Sequence, residues 1–261
     1  MLDLMRNLKT IDAAYVAGLL DGDGSFNIIR KTDNPFSAQF RTPIRLYNTD
    51  TRVLYWMSGM FGGIVHDGYW ELLKKSSQQI LLRAILPYQR VKHVETELLL
   101  AIYVLQDGRK SKDAVHLSTI KNTLQEQMRW LHHNRNTHSI TTPAHSDIIM
   151  SPETFAYLAG IVDTDGSIQV CKNHASMSYR LAVSNTSLLL MDWLVTTFGG
   201  LYYPGNKVES MCYNWNLNKQ QELLYVLQRI RPYLKVKWEQ ADVVTTLLTA
   251  SRTETKRLEL S

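Results

Sequence analysis

The sequence predicts an α+β protein built from two pseudo-symmetric αββαββα repeats, and three duplications predict it. Tyr15 to Ser25 reads YVAGLLDGDGS, and Tyr157 to Ser167 reads YLAGIVDTDGS. Phe61-Gly62-Gly63 returns as Phe198-Gly199-Gly200, and PYQRVK at Pro87–Lys92 returns as PYLKVK at Pro232–Lys237. The copies keep their order at a separation of about 140 residues, the signature of an internal repeat. The predicted division is a first repeat over residues 1–106, a helical connector over 107–150 and a second repeat over 151–261.

Each element follows from pattern. Ile11 to Gly22 has helical apolar spacing, with Asp12 as the expected cap. Ser25–Lys31 and Phe36–Tyr47 alternate with period two and read as strands, Phe40, Ile44 and Leu46 facing one way and Gln39, Arg41 and Arg45 the other. Pro43 interrupts the second run and marks an edge or bulge. A helix is expected over Thr49–Met60, stopping at Gly62, followed by a hairpin turning at Asp67-Gly68. Two helices, near Ser77–Leu86 and Val91–Leu105, complete the unit. In the connector, Ser118 is the expected cap of a helix whose apolar positions are Ile120, Leu124, Met128 and Leu131. The second repeat gives strands over Ser167–Asn173 and Met177–Asn185, and a helix over Ser187–Phe198. A hairpin at Pro204-Gly205 and helices over Gln221–Arg229 and Val236–Ala250 follow.

Composition excludes several classes. The 261 residues are 44% apolar and 20% charged, as in ordinary folded domains. The longest wholly apolar run, Leu98 to Leu105, is far below the ~20 residues of a membrane helix. The opening MLDLMRNLKT reads as neither a secretory signal nor a transit peptide. Only two cysteines occur, Cys171 and Cys212, and no CxxC pair, which argues against a zinc cluster or a disulfide scaffold. His132-His133 is read as a solvated pair for the same reason. A net charge of +5 admits a polyanion partner without requiring one.

Two features carry chemistry. The polar sheet face presents Ser25, Asn27, Lys31, Gln39, Arg41 and Arg45 in one copy, and Gln169, Asn173, Ser178, Arg180, Asn214 and Asn216 in the other, with Glu71 the acidic exception. Those are side chains suited to base edges in a major groove. Asp21, Asp23, Asp163 and Asp165 lie at helix C-termini, where the dipole disfavours each carboxylate by about 0.3–1 kcal/mol. Asp21 and Asp163 are read as bracing the turn. Asp23 and Asp165 are read as flanking a cation. An EF-hand fails, because its sixth-position glycine is replaced by Phe26 or Ile168. Ala14, Gly18 and Gly22, with Ala156 and Gly160, give each motif helix a stripe nearly free of side chains, so the two helices can meet with close backbones and bring Asp23 beside Asp165.

YVAGLLDGDG and YLAGIVDTDG, in this duplicated frame, resemble the namesake helices of the LAGLIDADG homing endonucleases. The resemblance implies a DNA-binding saddle with these helices at the central interface, and a Mg2+-dependent, site-specific double-strand endonuclease. It implies Asp23 and Asp165, with Gly22 and Thr164 beside them, as the metal-binding positions. Mn2+ is expected to substitute, and Ca2+ to support binding without cleavage. Lys92 and Lys237 match the basic residue near the metal, against the reading of plain surface lysines. Asn48 and Asn185 match a water-orienting polar position, or else are helix caps before Thr49 and Thr186. The implied DNA contacts are Asn27, Ile29, Lys31, Gln39, Arg41, Arg45, Tyr69 and Glu71 in the first repeat. The second offers Gln169, Cys171, Asn173, Ser178, Arg180, Lys207, Asn214 and Asn216. Arg135 and His138 are expected near backbone phosphates.

The two sets differ, so the target should be asymmetric, read by a monomer with no obligate protein partner. The rival readings on the same fold are an intron RNA maturase and a catalytically inactive DNA-binding regulator; retention of both aspartates counts against the second. The resemblance also implies intron-encoded mobility. The expected compartment is a chloroplast or mitochondrion, or else a prokaryotic or phage cytoplasm.

Overall fold

The structure, a computed structural model, describes residues 8–31, 40–107, 114–134, 150–173, 176–205 and 212–259. Gln39, Arg135, His138 and Lys207 lie outside the described residues.

The first repeat runs α1 (Thr10–Asp23), β1 (Gly24–Phe26), β2 (Ile29–Arg30), β3 (Phe40–Arg41), β4 (Ile44–Tyr47), α2 (Thr51–Phe61), β5 (Ile64–His66), β6 (Tyr69–Leu72), α3 (Lys75–Ile85) and α4 (His93–Asp107). The connector contributes α5 (Ala114–Asn134). The second runs α6 (Pro152–Asp165), β7 (Gly166–Asn173), β8 (Ser176–Asn185), α7 (Leu188–Phe198), β9 (Leu201–Pro204), β10 (Tyr213–Leu217), α8 (Gln220–Ile230) and α9 (Trp238–Glu259). Both four-stranded sheets are antiparallel with one topology, β1-β4-β6-β5 and β7-β8-β10-β9. Gly24 pairs with Leu46 as Gly166 pairs with Val183, so the duplication extends to strand register.

α1 and α6 are apolar around most of their circumference, and residues 13–21 and 155–163 are buried. A helix without a polar face belongs inside. They pack on each other more intimately than any other pair of helices. A Cβ on Gly18 would lie 2.2 Å from the Tyr157 carbonyl oxygen, and one on Gly160 2.2 Å from that of Tyr15. Only glycine permits this approach.

Several local expectations are corrected. Asp12 does not cap α1: Lys9 stands at the cap position with no side-chain bond, and Asp12 lies in the first turn. Ser118 is buried inside α5 rather than at its start, because the helix begins at Ala114. The long strand pair of the first repeat is broken. β1 ends at Phe26, β4 begins after Pro43, and the intervening chain forms a separate two-stranded ribbon, β2-β3. Pro43 has no N–H for the ladder. Gln78 Nε2 from α3 bonds the freed Thr42 carbonyl, and also that of Leu72 at 2.7 Å. Gln125 Nε2 of α5 donates to the Ile28 carbonyl at 3.0 Å, closing the other side of the break. No helix among the described residues is long and apolar enough to cross a membrane.

Candidate active site

α1 and α6 end side by side, so their last residues, Asp23 and Asp165, are brought together. A Cβ on Gly22 would lie 3.4 Å from Asp165 Oδ2 and 2.0 Å from Thr164 Oγ1. Thr164 occupies the place that Gly22 holds in the first repeat, and the glycine leaves the room that the threonine side chain fills.

The carbonyls at each helix end gather negative charge, and beyond Leu20 and Val162, which accept the N–H groups of Gly24 and Gly166, they lack intrahelical partners. A lysine answers them in both repeats. Lys92 Nζ donates to the carbonyls of Leu20, Asp21 and Gly22, each at 2.8 Å. Lys237 Nζ donates to those of Val162 at 2.7 Å and Thr164 at 3.2 Å. Neither is a plain surface lysine, and Lys92 is only 2% exposed. All three protons of Lys92 face α1, so it acts on the site by its fixed charge. Lys237 lines the open cleft. Burial lowers its pKa, while Asp163, Asp23 and Asp165 hold it up.

Burial raises the carboxyl of Asp165 to about 6, opposed by the bond from Asn185 and reinforced by the charge of Asp23. Burial likewise raises Asp23, against the pull of Lys92 and Lys237. Two carboxylates in this position favour a cation between or beside them. Among the described residues no three His, Cys, Asp or Glu side chains cluster closely enough to cage a metal. Oxygen donors alone, two carboxylates and the neighbouring carbonyls, suit a hard divalent ion that keeps water and phosphate oxygens as further ligands. The carbonyls of Gly22 and Thr164 each give one lone pair to a lysine and retain the other.

The asparagines differ. Asn185 Nδ2 donates to Asp165 Oδ2 at 2.6 Å, while its Oδ1 accepts the Ser187 N–H at 2.9 Å. Asn48 Oδ1 accepts the Asp50 N–H at 2.8 Å, and the described residues give it no bond to Asp23. Neither caps a helix: α2 is capped by Asp50 and α7 by Ser187.

Asp21 and Asp163 brace turns, as expected. The Asp21 carboxylate accepts the backbone N–H groups of Arg90, Val91 and Lys92, and Asp163 accepts those of Lys235, Val236 and Lys237.

Two cavities open beside Asp23. One of about 330 Å3 is lined by Asp23, Tyr47, Asn48, Thr164 and Lys237. The other, about 350 Å3, is lined by Gly22, Asp23, Ser25, Asn27, Lys92 and His132. His132 is thus part of the cavity wall and not half of a solvated pair; only His133 is exposed. Helical spacing turns these adjacent residues to different faces of α5.

On the two sheets, period two sorts the faces. In the second repeat Gln169, Cys171, Ser178, Arg180, Asn214 and Asn216 share one face by register. Arg180 bonds Gln169, and Gln169 Nε2 donates to Ser167 Oγ at 3.1 Å. The backbone of Asn173 stands at the end of β7. In the first repeat Arg45, Tyr69 and Glu71 share the face. Asn27 Nδ2 donates to Ser25 Oγ at 2.7 Å. Glu71 is only 8% exposed and holds Arg45 Nε at 2.8 Å, so it positions that arginine more than it offers itself. Ile29 and Arg41 lie on the β2-β3 ribbon and Lys31 just past it, not on the four-stranded sheet, for the reason given at Pro43. Tyr47 was missed. It follows Arg45 by two residues, is 43% exposed, lines both cavities and packs on Tyr69 with ring centroids 5.5 Å apart. Strand alternation alone could have found it.

No family model matches the sequence, and no curated protein sequence matches it. Solved structures do match in fold. The LAGLIDADG homing endonuclease I-GzeII, solved in complex with its DNA target, aligns with TM-score 0.73 at 16% identity, over 93% of this chain and 91% of that one. I-SmaMI bound to cleaved DNA gives 0.68 at 14% identity, over 93% and 90%. I-AabMI bound to uncleaved DNA gives 0.67 at 14%, over 93% and 92%. I-SmaMI has also been solved on uncleaved DNA in the presence of calcium ions. At these identities the likeness is one of fold, and it spans both repeats.

Proposed function

We propose that this chain, which has the fold of the LAGLIDADG homing endonucleases, is a monomeric, site-specific, Mg2+-dependent endonuclease that cuts both strands of duplex DNA at a long asymmetric target. The observation that carries the reading is the half-buried Asp23–Asp165 pair, with Lys92 and Lys237 at the same helix ends, beside a cleft that both repeats line. The DNA-bound state of the structurally similar endonucleases supports the same partner here.

Asp23 and Asp165 would hold Mg2+, which when bound supplies charge to the scissile phosphate and a water of lowered pKa. Asn185 fixes one oxygen of Asp165, leaving the other for a ligand. Lys237 has an N–H beyond its two helix-end bonds with which to meet a phosphate oxygen or the attacking water. Lys92 offsets the negative charge that builds up as the phosphoryl group is attacked, from beneath the helix end. Arg45, Arg180, Asn214 and Asn216 are of the types that hydrogen-bond base edges. The reading carries with it intron-encoded mobility, with expression in a chloroplast or mitochondrion, or in a prokaryotic or phage cytoplasm.

The test is selection of duplexes from a partly degenerate pool by binding in Ca2+, followed by a switch to Mg2+. Discrete cuts in both strands are expected. Tight selective binding with no cut would point to a regulator. Absence of selective duplex binding would point to RNA and the maturase reading.

A further inference from the structure

The turn that carries each lysine is gripped from the opposite repeat. Asp21 gathers the N–H groups of Arg90, Val91 and Lys92 at 2.7, 3.0 and 3.0 Å, and Gln89 Nε2 at 3.3 Å. Its remaining donor comes from the second repeat, the Tyr157 hydroxyl at 2.8 Å. The arrangement is mirrored. Asp163 gathers the N–H groups of Lys235, Val236 and Lys237, and receives the Tyr15 hydroxyl of the first repeat at 2.7 Å. A cation reinforces each grip across the same boundary. The Arg90 guanidinium lies 4.2 Å from the Trp193 ring centroid and 5.2 Å from that of Tyr157. The Lys235 ammonium lies 4.2 Å from Trp56 and 5.1 Å from Tyr15.

Packing alone does not account for the hydroxyls. Phenylalanine would fill the same space, whereas a buried hydroxyl must find a partner. Both hydroxyls find the one carboxylate that shapes the backbone at the opposite lysine. From that backbone the lysine reaches the end of its own motif helix, directly beside Asp23 or Asp165.

We propose that Tyr157 and Tyr15 are positioning residues that act across the repeat boundary: Tyr157 sets Lys92 through Asp21, and Tyr15 sets Lys237 through Asp163. Each half of the active site is then completed only when the other repeat is docked. The proposal rests on the nuclease reading, and the two fail differently. A wild-type chain that binds its selected duplex and cuts neither strand in Mg2+ overturns the reading before any variant is made.

With a cleaving wild type, single-turnover rates are measured with each strand labelled separately, for Tyr157→Phe and Tyr15→Phe. Lys92→Met and Lys237→Met identify the strand that each lysine serves. Tyr157→Phe is expected to slow the Lys92 strand by about tenfold and leave the other within about twofold, with DNA affinity in Ca2+ unchanged; Tyr15→Phe gives the reverse. Tyr157→Phe should add nothing in the Lys92→Met background, yet multiply with Lys237→Met. Should Tyr157→Phe not fold, Arg90→Gln, which leaves the helix pair untouched, is expected to show the same strand preference. Equal slowing of both strands, or full multiplication in the Lys92→Met background, reduces the tyrosines to structural supports and overturns the proposal.

Discussion

At neutral pH Asp165 carries a charge where burial disfavours one. Its pKa rises from 3.8 to about 6 in the fold, chiefly through burial. Below the lower value the group is protonated in both folded and unfolded chains and costs nothing. Between the two values the unfolded chain loses its proton first, and above the upper value the folded state bears the full penalty. Stability therefore falls as pH rises through this window, by up to about 3 kcal/mol. Asp165→Asn should remove that cost, raising Tm by roughly 5 °C at pH 7.5 and not at all near pH 4, as read by thermal unfolding. Ca2+ should raise the wild-type Tm at the higher pH and leave the variant unmoved, because the ion relieves the same penalty. That Asp23 and Asp165 stand where carboxylates call for compensation was legible in the sequence, since both lie at the negative pole of a helix. The tyrosines were not. Tyr15 and Tyr157 bond partners 148 and 136 positions away, and nothing local to either residue announces that. Nor did adjacent histidines announce that His132 turns inward and His133 outward.

Among the elements, the α1–α6 pair sets the geometry of everything else. Its glycines are read correctly from sequence, because a four-residue spacing puts them on one stripe of a helix. Gly160→Ala would drive a methyl to 2.2 Å of the Tyr15 carbonyl oxygen and 2.7 Å of the Leu19 nitrogen. Backbone cannot rotate away as a side chain can, so the expected loss is about 3 kcal/mol or more, measured by denaturant unfolding. Gly59, whose added Cβ would meet nothing within 4 Å, is the control and should lose nothing from such a contact. The strands of the first repeat were less legible. Alternation sorted buried Ile44 and Leu46 from Arg45, and Pro43 signalled a break. What alternation could not supply was the consequence. Gln78 and Gln125, from two distant helices, satisfy the backbone at the break and let β2-β3 part from the sheet.

Over the whole molecule, near-identical topology carries unlike surfaces. The first repeat presents Arg45, Tyr47 and Tyr69, where β8 and β10 present Ala182, Ser184, Asn214 and Asn216. A duplex selected by this chain should accordingly have no twofold symmetry in its preferred bases. Its affinity should fall about a thousandfold between 50 and 200 mM salt if some six phosphates are contacted, as a titration of binding against ionic strength would read. A palindromic consensus would contradict the inequality of the two faces. The duplication itself was the most legible property of the chain, because three landmarks repeat in order. The alignment of the two helix ends was legible as well, because stripes of small residues call for close packing of α1 on α6; the hydrogen bonds of Tyr15 and Tyr157 across the repeat boundary had to be seen.

The measurement that bears most directly on the central claim is single-turnover cleavage of the selected duplex in Mg2+ by wild type, Asp23→Asn and Asp165→Asn, with binding in Ca2+ measured alongside. Cleavage of both strands by the wild type is expected, together with a loss of about a thousandfold in each variant at unchanged affinity. Cutting at the wild-type rate by either variant would contradict the assignment of the chemistry to this aspartate pair.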